Sequence, residues 1–311
     1  MTTQKKTTIG GQAIIEGIVM KGPKKTCTVV RKAGGELVVK EEDAHQPSAL
    51  WKKPVFRGAY GLFMAMKDGI QAINYSASFF EDEEADVPPS KFELWVENKF
   101  GSEGLDKFNL GISTVIGIAL PVALFLLLPS FLGGCVPESW GVLARNVLEG
   151  IVRVIIFLIF MWSVSHMKDI RRTFEYHGAE HKTIFCYEAG EELTVENVRR
   201  QQKYHPRCGT SFMFVLIIIA TIVSSIVFSI VDITNPFLRM LAHLILLPLV
   251  VGISYEFNRY AGRSESIVSR VLRWPGLMIQ HLTVFEPDDS MIEVAITGMK
   301  AVIPDDGSDN W

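Results

Sequence analysis

The stretch Phe212–Val231, FMFVLIIIATIVSSIVFSIV, carries no charged residue. An uncharged apolar run of this length suits the hydrocarbon core of a bilayer, which a helix crosses in about 20 residues. Three further segments are long and apolar enough to do the same: Leu110–Leu132, Val147–Val164 and Phe237–Ser254. The chain therefore reads as an α-helical polytopic membrane protein with about four transmembrane helices. Pro121, Pro129 and Pro248 are expected to kink the first and fourth spans. Membrane helices tolerate this where neighbours satisfy the freed backbone groups.

Basic residues predict the orientation. Lys168, Arg171, Arg172, Lys182, Arg199, Arg200, Lys203 and Arg207 lie between spans two and three, and Arg259, Arg263, Arg270 and Arg273 follow span four. The connection between spans one and two carries only Arg145. An excess of Lys and Arg marks the cytoplasmic side, so both termini and the long middle loop are expected in the cytoplasm, with the lipid bilayer of the cell membrane as the chain's first partner. Of the 311 residues, 48% are hydrophobic and 21% charged, which leaves room for substantial soluble parts. The net charge of −3 gives no bulk basicity, so no nucleic-acid partner is expected. The four cysteines are widely spaced and form no disulfide framework. No secretory signal, GxGxxG loop or Walker pattern is visible, and ATP-driven work by this chain is not expected.

Polar residues inside the spans have two readings. Glu149 and Arg153, Arg239 and His243, and Asp232 all fall toward the predicted outer side. They form either a polar intramembrane cluster or an interfacial set that snorkels, with one helical ion pair. No polar stripe continues across the bilayer, which favours the second reading and makes an ion transporter the weakest function class.

The chain divides into five segments by pattern. Residues 1–109 read as an N-terminal cytoplasmic α+β region. Within it, Thr26–Arg31 and Glu36–Lys40 form a β-hairpin around KAGG. Pro54–Phe80 repeats apolar residues at helical spacing, for a face that packs on the soluble core or lies on the membrane; packing is favoured. EDEEADVPPS reads as a linker. Residues 110–165 hold spans one and two, and 166–211 a cytoplasmic loop. Residues 212–254 hold spans three and four, and 255–311 a C-terminal cytoplasmic segment. In that last segment Pro275, Pro287 and Pro304 are expected to break the pattern. Ser290 and Glu293 read as a capping box before a helix over Met291–Val302, and DDGSDNW as a frayed tail.

The loop over 166–211 carries the chemistry. In YHGAEHKTIFCYEAG, His177, Glu180 and His181 form H-x-x-E-H. On a helix the two histidines share one face and can hold one metal ion, with Glu180 beside them as general base. The same loop contains HPRCG, placing His205 and Cys208 where they can meet the first pair, with Thr194 capping a helix over Val195–Tyr204 between them. Glu188 is a poor ligand candidate: seven residues of helix rise about 10 Å, whereas ligand atoms sit about 2 Å from a metal. The expected ligands are His177, His181, and His205 and/or Cys208, with zinc the expected metal.

These motifs resemble the YqhQ-like family of bacterial membrane proteins. The resemblance rests on GGQAIIEG with VMKGP, YHGAEHKTIFCYE, LTVENV, HPRCGTSF, SYEFNR and PGLMIQHLTVFEP, spread over nearly the whole chain. It implies a metal-dependent membrane enzyme without an assigned reaction. It also draws attention to Glu16 as a second acid/base or substrate-orienting group and to Glu256 at the cytoplasmic end of span four. H-x-x-E-H also occurs in inverzincin proteases, but nothing else here resembles them. Two function classes follow. One is a metal-dependent hydrolase with three protein ligands and Glu180 as base. The other is a membrane scaffold or biogenesis factor for cytoplasmic protein partners, whose loop is folded by a zinc site closed by four ligands.

Overall fold

The computed structural model describes residues 6–80, 94, 99, 101–231, 233, 235–263 and 266–310. The EDEEADVPPS segment and Asp232 lie outside them. The chain divides into two compact units. One comprises Met1–Phe80, Leu158–Ile219 and Pro248–Trp311, and the other Glu81–Phe157 and Ala220–Leu247.

The first unit opens with four strands, β1 (Gly10–Ile14), β2 (Gly17–Lys21), β3 (Lys25–Arg31) and β4 (Leu37–Asp43). They form an antiparallel sheet in the order β1-β2-β3-β4. The expected hairpin is β3–β4, with Arg31 opposite Leu37. Its turn needs Gly35 at φ +85°, in the left-handed region that glycine enters at little cost. The β1–β2 hairpin was not foreseen. It turns at Ile15–Glu16, with Ile14 opposite Gly17 and Glu16 at φ 48°, a conformation rare for a residue with a side chain.

The helices are α1 (Phe56–Ala77), α2 (Ser102–Val122), α3 (Leu128–Gly134), α4 (Gly141–Ser165), α5 (Lys168–Glu188), α6 (Val195–Arg200), α7 (Gly209–Ile230), α8 (Pro236–Arg263), α9 (Ile267–Thr283) and α10 (Asp289–Val302). Alternation along the strands sends successive side chains to opposite faces. Ile18, Met20, Cys27 and Val29 meet Tyr176 and Ala179 of α5 and Met291, Ala295 and Met299 of α10. Val19 and Val30 face the other way, onto Ala72 of α1. One core thus joins the strands, the histidine-bearing helix and the last helix, although they are far apart in sequence.

Several local expectations need correction. The apolar stripe of α1 does not pack: Phe63 is 65% exposed, and Met66, Ile70 and Ile73 are also exposed. The face that packs is small, with Gly58, Gly69, Ala72 and Ser76 buried. Pro275 sits inside α9 without ending it. Helix α10 is capped by Asp288, which accepts from Met291 N at 3.0 Å, while Ser290 only donates to Asp288. Thr194 caps α6 as expected, but that helix stops at Arg200. The C-terminal tail is held: Asp309 is buried, accepts from Thr7 Oγ1 at 2.8 Å and Tyr187 Oη at 2.9 Å, and its carbonyl accepts from Thr8 N.

Four helices are long and apolar enough to cross a membrane, over Gly111–Gly134, Gly141–Ser165, Phe212–Ile230 and Phe237–Gly262. The first is interrupted by a π-turn at Ala123–Leu127. Pro129 has no N–H to offer the Phe125 carbonyl four residues earlier. Arg153 Nε donates to that carbonyl instead, at 2.8 Å. This corrects the snorkelling reading. Glu149, Arg153, Arg239 and His243 are all buried and converge within the second unit.

Candidate metal centre

The H-x-x-E-H motif lies on α5, which runs unbroken through Gly178. A mid-helix glycine costs about 1 kcal/mol relative to alanine. Packing explains it here: a Cβ at Gly178 would lie 2.0 Å from the Phe285 carbonyl oxygen. The segment after α9 crosses the helix at this point, with Phe285 N donating to Phe174 O at 3.0 Å.

His177 and His181 therefore share a face, with ring centroids 4.4 Å apart. His177 Nδ1 lies 2.9 Å from Thr283 O, and His181 Nδ1 2.6 Å from Lys203 O. A carbonyl can only accept, so each neutral ring carries its proton on Nδ1 and turns the Nε2 lone pair inward, the arrangement of metal-ligating histidines. Cys208 Sγ lies 3.2 Å from His177 Nε2. One ligand atom from each of His177, His181 and Cys208 falls within 4.8 Å of the other two.

The electrostatics favour a thiolate. Burial disfavours the Cys208 anion, but His177 and His181 outweigh it and hold the thiol well below its ordinary value. Burial likewise opposes charge on His177, yet Cys208, with Glu180 behind it, pushes the ring up to about 9, so without a metal His177 Nε2–H donates to the Cys208 thiolate, and a metal ion would have to displace that proton. Thiolate sulfur and imidazole nitrogen are the donors that zinc takes.

His205 does not join this group. Its backbone N donates to Gln280 Oε1, and Gln280 Nε2 donates back to its carbonyl, both at 2.8 Å. That clamp turns the ring beside Glu188, with Nε2 3.8 Å from Oε2. Burial, against the pull of Glu188, pushes His205 down to about 4, so the ring is neutral. Glu188, already doubted as a ligand, accepts from Thr7 N at 2.7 Å and from Arg207. Burial opposes its charge, but His205 and Arg207 hold it below the usual carboxylate range.

Glu180 is buried beside His177 and His181, and Gly11 N donates to its Oε1 at 2.8 Å. Burial raises its pKa, against the two histidines that lower it. Gly11 was missed in the sequence as a site residue. A Cβ there would lie 2.9 Å from Val19 O and 3.0 Å from Glu180 Cγ and Cδ, so the second glycine of GGQAIIEG makes room for Glu180. A cleft of about 400 Å³ opens here, lined by His177, Glu180, His181 and Cys208 and by Gly10–Ala13 of β1. Glu16 does not line it. Its carboxylate pairs with Arg172 and accepts from Tyr176 Oη at 3.2 Å, anchoring α5 to the β1–β2 turn. Glu256 is engaged elsewhere, accepting from Arg57 Nε at 2.6 Å.

The sequence family described as "Protein of unknown function (DUF1385)" matches residues 53–305, a range that includes His177, Glu180, His181 and Cys208. The chain belongs to this family. It is also 32% identical over 300 residues to the "Uncharacterized protein YqhQ" of Bacillus subtilis (strain 168), covering 94% of this chain and 92% of that protein. The resemblance to YqhQ-like proteins is thereby established. No solved structure matches the chain significantly.

Proposed function

We propose that the chain is a multi-pass protein of the cytoplasmic membrane that holds zinc at His177, His181 and Cys208 and hydrolyses a substrate bound in the adjoining cleft. Both termini and the histidine loop face the cytoplasm in this reading, following the distribution of Lys and Arg. The observation that carries it is the group of three N, N and S donors beside a buried carboxylate at a cleft. Three protein ligands are the number that catalytic zinc sites use, whereas a structural site is closed by four.

Zinc would supply Lewis acidity, which brings the ionisation of water into the neutral range. The remaining work falls to the chain. Gly11 N–H fixes one oxygen of Glu180, so the other is left to take a proton from water in the cleft. Burial raises the pKa of Glu180, which moves a carboxylate toward the range useful to a general base near neutral pH. Thr283 and Lys203 carbonyls hold the two histidines in the ligating tautomer. Glu16 acts at a distance by pinning α5 through Arg172 and Tyr176, in place of the acid/base role expected for it.

Glu180→Gln tests the catalytic reading. It keeps the side chain's size and its acceptor for Gly11 N–H but cannot take a proton. In a strain lacking the native copy it should abolish function while zinc content stays normal. Full complementation with normal zinc would leave the scaffold reading in its place, with the metal folding the loop for cytoplasmic partners.

A further inference from the structure

We propose that the substrate of the zinc site is an extended peptide segment, held by strand pairing along the outer edge of β1; the proposal rests on the hydrolase reading above. Among the described residues β1 and β4 are the outer strands of the sheet. An outer strand presents backbone N–H and C=O groups with which a further strand can pair, and charged side chains are a common protection. β4 carries that protection, with Lys40, Glu41, Glu42 and Asp43 in LVVKEED. β1, GGQAI, has no charge at all. The unprotected strand is also the one at the metal group: Gly10, Gly11, Gln12 and Ala13 line the cleft together with His177, Glu180 and Cys208.

The hydrogen bonds fix which groups of β1 point outward. Across an antiparallel pair, residues alternate between those that bond to the opposite strand and those that do not. Gly11 lies opposite Met20, yet its N–H goes to Glu180 Oε1 at 2.8 Å, so Gly11 is of the second kind. Ala13, two residues on and opposite Ile18, is then of the same kind. The Gly11 carbonyl and the Ala13 N–H and carbonyl are left facing outward, and none of the three has a partner among the described residues. A strand rises about 3.4 Å per residue, so these groups repeat at about 7 Å, the repeat of another extended backbone. Gly11 N–H already seats Glu180. A substrate strand paired with Ala13 and the Gly11 carbonyl is thereby laid alongside that carboxylate, in the cleft that holds the metal ligands. Phosphate esters fit less well: among the described residues lining the cleft Arg207 is the only Lys or Arg, and it donates to Glu188. Hydrolysis of a peptide bond needs no further reactant. The water oxygen bonds to the carbonyl carbon, the C–N electron pair passes to nitrogen as that bond breaks, and Glu180 carries the water proton to the same nitrogen.

The test measures binding apart from turnover. The full Glu180→Gln chain is immobilised in dodecyl maltoside and exposed to a pool of random-sequence octapeptides, and retained peptides are quantified by mass spectrometry. The same pool with every backbone nitrogen methylated cannot donate to β1 and should be retained about tenfold less, the equivalent of one or two strand hydrogen bonds. Ala13→Pro, added to the Glu180→Gln chain, removes the outward N–H but no bond of the β1–β2 ladder, since proline is tolerated on an outer strand. It should melt within a few degrees of its parent and also retain about tenfold less peptide. No retention of the unmethylated pool, or equal retention of the two pools, would overturn the proposal whether or not the proline variant folds. So would a folded Ala13→Pro chain that retains as much peptide as its parent. Peptides that the Glu180→Gln chain retains in the expected way, and that the zinc-loaded native chain leaves uncut, would uphold the strand-pairing site and remove the hydrolase reading alone.

Discussion

Gly10 and Gly11 are neighbours on β1, yet alanine should have opposite consequences at the two positions. A Cβ at Gly10 meets nothing within 4 Å. At Gly11 it would press on Val19 O at 2.9 Å and on Glu180 Cγ and Cδ at 3.0 Å. Val19 belongs to the paired strand β2, so its carbonyl cannot retreat without disturbing the sheet. Overpacking of this kind costs typically 1–3 kcal/mol, and weakening the Gly11 N–H bond to the Glu180 carboxylate adds to it. Gly11→Ala should therefore lose about 2 kcal/mol, or roughly 4–8 °C of melting temperature for a protein of this size. Gly10→Ala should stay within about 0.5 kcal/mol, since it touches nothing and stiffens the unfolded chain. Thermal unfolding of the two variants, side by side, measures the difference. Gly11→Ala should also reduce activity with little change in zinc, because Gly11 touches the carboxylate and no ligand. Equal melting temperatures for the two variants would refute the assignment of Gly11 as the seat of Glu180.

Other expectations can be checked in the same preparations. In intact cells Cys135, which is exposed, should react with a membrane-impermeant thiol reagent while Cys208 does not; the reverse pattern would invert the orientation. Burial pushes Cys27 and Cys186 up to about 11 each. At pH 7 after chelation, iodoacetamide should therefore modify Cys208 and leave those two intact, as peptide mass mapping would show. Stability should also decline in mild acid through His205. Its folded pKa of about 4 lies below the ordinary 6.5, so its contribution is complete above 6.5 and is lost as pH falls toward 4. The loss amounts to about 3 kcal/mol and should be absent in His205→Gln. Glu188→Ala would remove the buried carboxylate that accepts from Arg207 and Thr7 N and should cost about 3–5 kcal/mol in denaturant unfolding.

What the sequence revealed depended on whether the determining contacts were local. Four apolar helices and the β3–β4 hairpin follow from run length, composition and a Gly-Gly turn. The pairing of His177 with His181 follows from helical periodicity. The choice between His205 and Cys208 was not legible, because Gln280, far along the chain, clamps the loop and turns His205 away. β1 and β2 were hidden by glycines and by a turn at Ile15–Glu16 that lacks the usual turn residues. The Glu16 carboxylate is bound there by Arg172 and Tyr176, and its carbonyl accepts from Arg31 N at 2.8 Å. Position near the ends of the spans suggested snorkelling for Glu149, Arg239 and His243. Their burial depends on packing between helices that hydropathy does not describe. The exposed apolar face of α1 inverted the usual inference from periodicity, since the sheet selected the small residues Gly69 and Ala72 instead.

The proposed function requires one metal ion shared between α5 and the HPRCG loop. Elemental analysis of the purified chain tests it most directly. The native chain and Glu180→Gln should each contain about one zinc per molecule, whereas His177→Ala and Cys208→Ala should each lose it, and His205→Gln should retain it. Zinc absent from the native chain, or present equally in His177→Ala and Cys208→Ala, would contradict the central claim.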